Sequence, residues 1–274
     1  MLTQALLLAA LPTLALANPQ PMGNRVLRCS NTELTQEQKD LYLKIATHKK
    51  DALGDAFEIP TYFHVVQEDE TTGALSDDTL NAQLKVLNDD YAPQSISFSL
   101  QETTRTINKD WATNLDGDNM RRTLRKGSYN ALNLFFLTNP DGALGYCSLP
   151  FNNEPGSDIT GDGCAIGSGT LPGGNPPYNL GRTATHEIGH WLGLPHTFDN
   201  GCSDPGDGID DTPYEAEATF GCPTGQDSCP DREGLDPIQN YMDYTDDGCM
   251  SEFSPQQGAR MHDAWYNIRI PSSQ

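Results

Sequence analysis

Up to about residue 196, apolar residues repeat with two different periods. "TYFHVV" (61–66) is β-branched and aromatic, which predicts a strand. "ISFSLQ" (96–101) alternates apolar with polar and predicts another, with one face buried. "ALNLFFLT" (131–138) is apolar without interruption, the pattern of a central strand covered on both faces. "GALGYCSLPF" (142–151) predicts a further, more exposed strand. Between the first two strands the period changes. Leu80, Leu84, Leu87 and Tyr91 fall on one face of a helix, which Ser76 can cap and whose N-terminal dipole suits Asp77 and Asp78. "TQEQKDLYLKIATHKK" has a helical tint, but Leu41, Leu43 and Ile45 fix no single face. Gly and Pro crowd residues 154–177, predicting loop, and a helix follows over about 180–193. From 197 to 240 the chain is rich in Asp, Gly, Pro and Cys and has little periodicity. Ser254 as N-cap, Pro255 in the first turn and Gln257 three residues after the cap predict a last helix opened by a capping box. The pattern is that of an α+β fold: a mixed sheet with helices, then an irregular region. There is no internal repeat.

The beginning of the chain changes this picture. "MLTQALLLAALPTLALANPQ" is apolar until Asn18, too short to span a bilayer comfortably, and Ala15-Leu16-Ala17 is a small-x-small cleavage pattern. We read residues 1–17 as a signal peptide, although no Lys or Arg opens it. A buried or anchoring helix is the alternative, disfavoured by Pro12. Residues 18–55 are then a propeptide or N-terminal segment, and 56–274 the main domain, ample for a core.

The formal charge of -21 and a pI near 4.4 disfavour nucleic acid and anionic membranes as partners. The sequence carries no Asn-x-Ser/Thr sequon. In a secreted chain, seven cysteines suggest three disulfides and one thiol left over; no Cys-x-x-Cys points to a zinc ribbon.

Three of the six histidines lie in "HEIGHWLGLPH". On a helix, His186 and His190 share one face and can present two imidazoles to one ion. Glu187 follows the first of them, placed to accept a proton from a metal-activated water. Gly193 lets the backbone leave the helix, Pro195 reinforces the break, and His196 can return as a third ligand. A helix with incidental histidines is the alternative, but the extended motif fixes five positions and is far more specific than a bare His-Glu-x-x-His. His48, His64 and His262 suit ordinary core or surface positions.

The motif resembles that of the metzincin clan of zinc endopeptidases. Within the clan, "HEIGHWLGLPHTFDNGC", "DDTPYEAE", "GCPTG", "DPIQNYMDYTDDGCMSEFSPQQ" and, more weakly, "YFHVV" are similar to the pappalysin family in its short secreted form. The likeness covers roughly residues 60–268, most strongly 183–260. It implies a zincin fold: an upper subdomain to about residue 196, with a twisted sheet, a backing helix and the zinc helix, then a smaller, irregular, disulfide-stapled lower one. Protein or peptide substrates would lie extended between them, paired with a sheet edge. A monomer, secreted and off the membrane, is expected.

The resemblance also implies site residues. Met242 in "NYMDY" fits a Met-turn beneath the metal, and Tyr244 fits a position that stabilises the transition-state oxyanion. It favours the crossed bridges Cys202–Cys229 and Cys222–Cys249, each contributing ~3 kcal/mol. Cys147 and Cys164 remain and could bridge across the Gly/Pro loop. That leaves Cys29, which in this clan can hold the zinc as a thiolate and keep a precursor latent; an adventitious thiol, or a different bridging pattern, is the alternative. In the acidic loop "DPGDGIDDTPYEAE" (204–217), family likeness supports structural calcium on Asp207, Asp211 and Thr212, against a merely solvated loop. Two other readings of the function are an exopeptidase and a metal-binding protein without activity.

Overall fold

The computed structural model of the protein describes residues 27–29, 54–151 and 157–270. The expected leader (1–17), the helix-like stretch 35–50 and His48 lie outside the described residues. Six strands form one sheet: β1 (Leu27–Cys29), β2 (Phe57–Gln67), β3 (Ile96–Ile107), β4 (Leu132–Leu137), β5 (Ala143–Cys147) and β6 (Cys164–Gly167). Their order is β1-β5-β6-β4-β2-β3. β3, β2, β4 and β6 run parallel, β5 is antiparallel to β6, and β1 lies parallel to β5 at the edge. The sheet is therefore mixed, as the sequence predicted.

β4 explains why the sheet carries a layer on each face. Every residue in it is buried. Leu134 and Phe136 join the larger core with Ile59, Phe63, Leu87, Ile188 and Trp191, while Phe135 and Leu137 pack on the other side with Ala112 and Met120. α1 (Asp77–Tyr91) and the motif helix α4 (Arg182–Trp191) lie against the larger core, which Met261 of the last helix also joins. Ser76 caps α1 by accepting from the Thr79 amide at 3.1 Å. On the opposite face run the short α2 (Lys109–Ala112) and α3 (Gly117–Leu124). α4 (Arg182–Trp191) is buried along nearly its whole length, and the Tyr91 hydroxyl of α1 donates to the Thr185 carbonyl at 2.8 Å. α5 (Pro255–Ala264) opens with the expected capping box between Ser254 and Gln257.

β1 and β6 are not visible in the sequence pattern. β6 lies inside the Gly/Pro-rich stretch read as loop. It is only four residues long, and Gly163 before it approaches the backbone closely: a Cβ there would stand 2.8 Å from the Asn133 carbonyl oxygen. β3 runs on well beyond the expected 101. Its outer half is largely exposed, so apolar alternation fades while backbone pairing with β2 continues.

After α4 the chain is mostly turns, and covalent and polar links replace a core. Cys202 is joined to Cys229 and Cys222 to Cys249. Buried Glu215 accepts from Thr197 at 2.7 Å and from Thr219 at 2.6 Å. In the sheet, Cys147 is joined to Cys164, its cross-strand partner. Among the described residues Cys29 is in no disulfide.

The C-terminal end returns to α4. Arg269 is fully buried, donates to the Trp191 carbonyl at 2.8 Å and pairs with Asp162 at 2.7 Å. Its guanidinium lies 3.8 Å from the Trp191 ring centroid. The charge is thus compensated by a carboxylate, a carbonyl and an aromatic face, as a buried arginine requires.

Candidate active site

α4 holds His186 and His190 one turn apart and ends where the third histidine must return. Gly193 has φ +87°, its amide donates to the His190 carbonyl at 2.9 Å, and the Leu194 amide donates to Gly189 at 2.9 Å. These two bonds make a Schellman cap, which requires a left-handed residue at the glycine position. Arg260 of α5 donates to the Gly193 carbonyl at 2.7 Å, fixing the bend from below. The turn brings His196 back to α4.

The three imidazoles meet at their Nε2 atoms. His190 Nε2 is 3.2 Å from that of His186 and 3.0 Å from that of His196. Three nitrogens about 2.0–2.1 Å from one tetrahedral zinc stand roughly 3.4 Å apart, so the spacing suits such an ion. The outer nitrogens are engaged: His186 Nδ1 with the Tyr241 carbonyl at 2.7 Å, and His190 Nδ1 with the Leu194 carbonyl at 2.8 Å. His196 Nδ1 lies 3.6 Å from Asp199. A ring nitrogen that donates outward leaves the inner one with its lone pair free, the tautomer a metal needs. Burial and the neighbouring imidazoles hold His186 well below the usual histidine range and bring His190 down to about 3, so both are neutral at physiological pH. Cys29 Sγ completes the group: it and the histidine nitrogens lie within 4.8 Å of one another.

Glu187 is fully buried, and burial pushes its carboxyl up to about 8. Its Oε2 lies 3.5 Å from Cys29 Sγ, while Oε1 has no hydrogen-bond partner among the described residues. Met242 is buried beneath α4, where Gly189 makes room: a Cβ on Gly189 would stand 2.4 Å from the Met242 sulfur. The neighbouring Tyr241 supplies the carbonyl that holds His186. The Tyr244 hydroxyl donates to the Cys29 carbonyl at 3.3 Å, and its ring stands edge-on to His196. The sequence-predicted residues His186, Glu187, His190, His196, Met242, Tyr244 and Cys29 therefore come together.

The acidic-loop residues divide. Asp207 accepts from the Thr212 hydroxyl at 2.7 Å, and burial raises its carboxyl to about 7. Asp211 points elsewhere, accepting from the Gln256 amide at 2.9 Å at the start of α5. His64 sits between Thr104 and Asn133 within the sheet, and His262 bonds the Gln94 carbonyl.

Sequence reasoning missed a buried ion pair beside this centre. Arg28, next to Cys29, is buried; its Nη2 lies 2.9 Å from Asp247 and donates to the Thr245 carbonyl at 2.7 Å. The Tyr178 ring covers the guanidinium at 4.7 Å. The other Asp247 oxygen accepts from the Leu180 amide at 2.8 Å, which fixes the carboxylate. One acidic residue in so acidic a chain carries no signal of its own, but Arg28 beside the odd cysteine could have drawn attention to this segment.

The family described as pregnancy-associated plasma protein-A matches residues 173–265. An extracellular metalloprotease of Verticillium alfalfae is 54% identical over 219 residues, covering 78% of this chain and 79% of its own. Among solved structures, mature mirolysin of Tannerella forsythia with a cleaved peptide aligns at TM-score 0.66 and 31% identity, over 76% of this chain and 91% of that one. A promirolysin mutant aligns at TM-score 0.72 and 27% identity, over 86% of this chain and 94% of that one. Long likeness to a metalloprotease, together with three converging histidines above a buried methionine, leaves one assignment: the chain belongs to the pappalysin family of metzincin metalloproteases.

Proposed function

We propose that the protein is a secreted zinc-dependent endopeptidase made as a latent precursor. The observation that carries this reading is the meeting of three imidazole Nε2 atoms beside the buried carboxyl of Glu187. His186, His190 and His196 would hold the zinc. When bound, zinc supplies Lewis acidity toward a water and toward the scissile carbonyl. Glu187 takes the proton of the attacking water and passes it to the amine that leaves. Tyr244 already donates to a peptide carbonyl beside the histidines, that of Cys29, and would donate in the same way to the oxyanion of a substrate. Once β1 leaves, β5 becomes a sheet edge to which an extended substrate can add.

Arg28 serves as a guide to side-chain preference. A pocket that encloses its guanidinium between Asp247, the Thr245 carbonyl and the Tyr178 ring suits a basic residue next to the scissile bond. Extracellular relatives support secretion. Alignment to the precursor over 86% of the chain, against 76% for the mature form, supports reading the segment before residue 55 as a propeptide. The calcium reading keeps Asp207 and Thr212 as ligands; Asp211 would have to leave Gln256 to join them.

Zinc removal tests the function. The activated protein is expected to cut an internally quenched peptide blocked at both ends, to stop when a zinc chelator strips the metal, and to recover when zinc is restored. An exopeptidase would leave the doubly blocked peptide intact, and a binding protein would hold zinc without turnover. Latency has its own test. A Cys29→Ser precursor is expected to show activity that the wild-type precursor lacks, because a hydroxyl is a far poorer zinc ligand than a thiolate. A Cys29→Ser precursor as silent as the wild type sinks the switch.

A further inference from the structure

The strand that faces the candidate base has a glycine where its register calls for a side chain. Ala143, Gly145 and Cys147 are the buried positions of β5, and Gly145 is paired with Cys29 on one side and Ile166 on the other. Gly145 is not among the residues with positive φ, so its backbone is open to any L residue. The reason for glycine is space. A Cβ at 145 would stand 2.8 Å from Glu187 Cγ, 3.1 Å from Glu187 Oε1 and 3.1 Å from the Ala165 carbonyl oxygen. Carbon atoms pack at about 3.5–4.0 Å, so one methyl group would force the Glu187 side chain to move by about 1 Å. Oε1, the oxygen nearest Gly145, is buried, and among the described residues no hydrogen bond resists that push.

We propose that Gly145 is a positioning residue for Glu187: the side chain missing from β5 is the space in which the base stands. The same strand that would pair with the substrate thereby sets how far the base can withdraw from the cleft. Any larger residue would drive the carboxylate out of line without touching His186, His190 or His196. The inference rests on Glu187 being the base.

The test uses full-length, zinc-loaded protein activated by limited proteolysis. Gly145→Ala is expected to lower kcat about 100-fold, the scale of loss for a catalytic group misplaced by about 1 Å. KM stays within about twofold, since uniform binding is untouched, and zinc content is unchanged. Gly161→Ala, at an exposed glycine with open space around it, serves as control and leaves kcat unaltered. In a Glu187→Asp background the carboxylate is drawn back by one methylene. There Gly145→Ala is expected to cost less than about threefold, the non-additivity of two groups in contact. A kcat for Gly145→Ala within threefold of wild type, or an equal loss in both backgrounds, overturns the inference. If Gly145→Ala does not accumulate as folded protein, the same contact is read through stability. Gly145→Ala/Glu187→Ala should then regain a folded precursor, and a double variant that still fails to fold overturns the inference. Glu187→Ala assayed alongside separates the two layers. An active Glu187→Ala overturns the base assignment and this inference together, whereas an inactive Glu187→Ala with an active Gly145→Ala overturns this inference alone.

Discussion

Glu187→Ala is expected to lose hydrolysis of casein and of blocked peptides by about 10³-fold or more, toward the top of the range for general acid–base catalysis. Zinc should remain at one per molecule. The ligand set does not include Glu187, and the orientation of His186 and His190 depends on the carbonyls of Tyr241 and Leu194. Glu187→Gln makes the result sharper. It keeps the shape of the buried side chain and its contact with β5 while removing the basic oxygen, so a loss of similar size would be chemical and not structural. Activity and bound zinc measured on the same samples decide the matter: full activity with zinc retained would remove Glu187 from the mechanism.

The second large effect concerns the pocket of Arg28. Asp247→Asn keeps an oxygen for the Leu180 amide and removes the charge that meets Arg28 Nη2. Loss of one partner of a buried ion pair typically costs about 3 kcal/mol, or roughly 100-fold. For peptides with Arg or Lys beside the scissile bond, kcat/KM should therefore fall by about 100-fold. Peptides with Leu or Met there should fall far less. The measurement is a set of blocked quenched peptides differing at that single residue. A uniform loss across the set would mean that Asp247 supports the fold of the loop and does not read the side chain.

Much of this centre was legible because its chemistry is local. His186, Glu187 and His190 lie within two turns of one helix, and Gly193 with Pro195 announces the bend that returns His196. The helix α1 and the strand β4 were equally plain, since their burial follows directly from apolar spacing. The rest depends on contacts between distant parts of the chain. β1 is three residues long and exists because Leu27 and Cys29 pair with Ala143 and Gly145. β6 is held by neighbours on both sides, so four residues among glycines can be a strand without a strand's sequence length. Asp247 gains its meaning from Arg28, a residue at the other end of the chain, and no periodicity connects the two. Gly145 looks like any other glycine until the side chain of Glu187 is placed beside it.

Arg269 has a consequence for timing. It holds the carbonyl end of α4 and the ring of Trp191, so the histidine-bearing helix is closed by a residue made 78 positions after the helix itself. A nascent chain still on the ribosome can possess every histidine of the centre and yet lack the clasp that finishes their helix. The helix is then finished only once Arg269 has been made, and a substitution that removes its guanidinium would loosen the histidines from a point remote from the cleft.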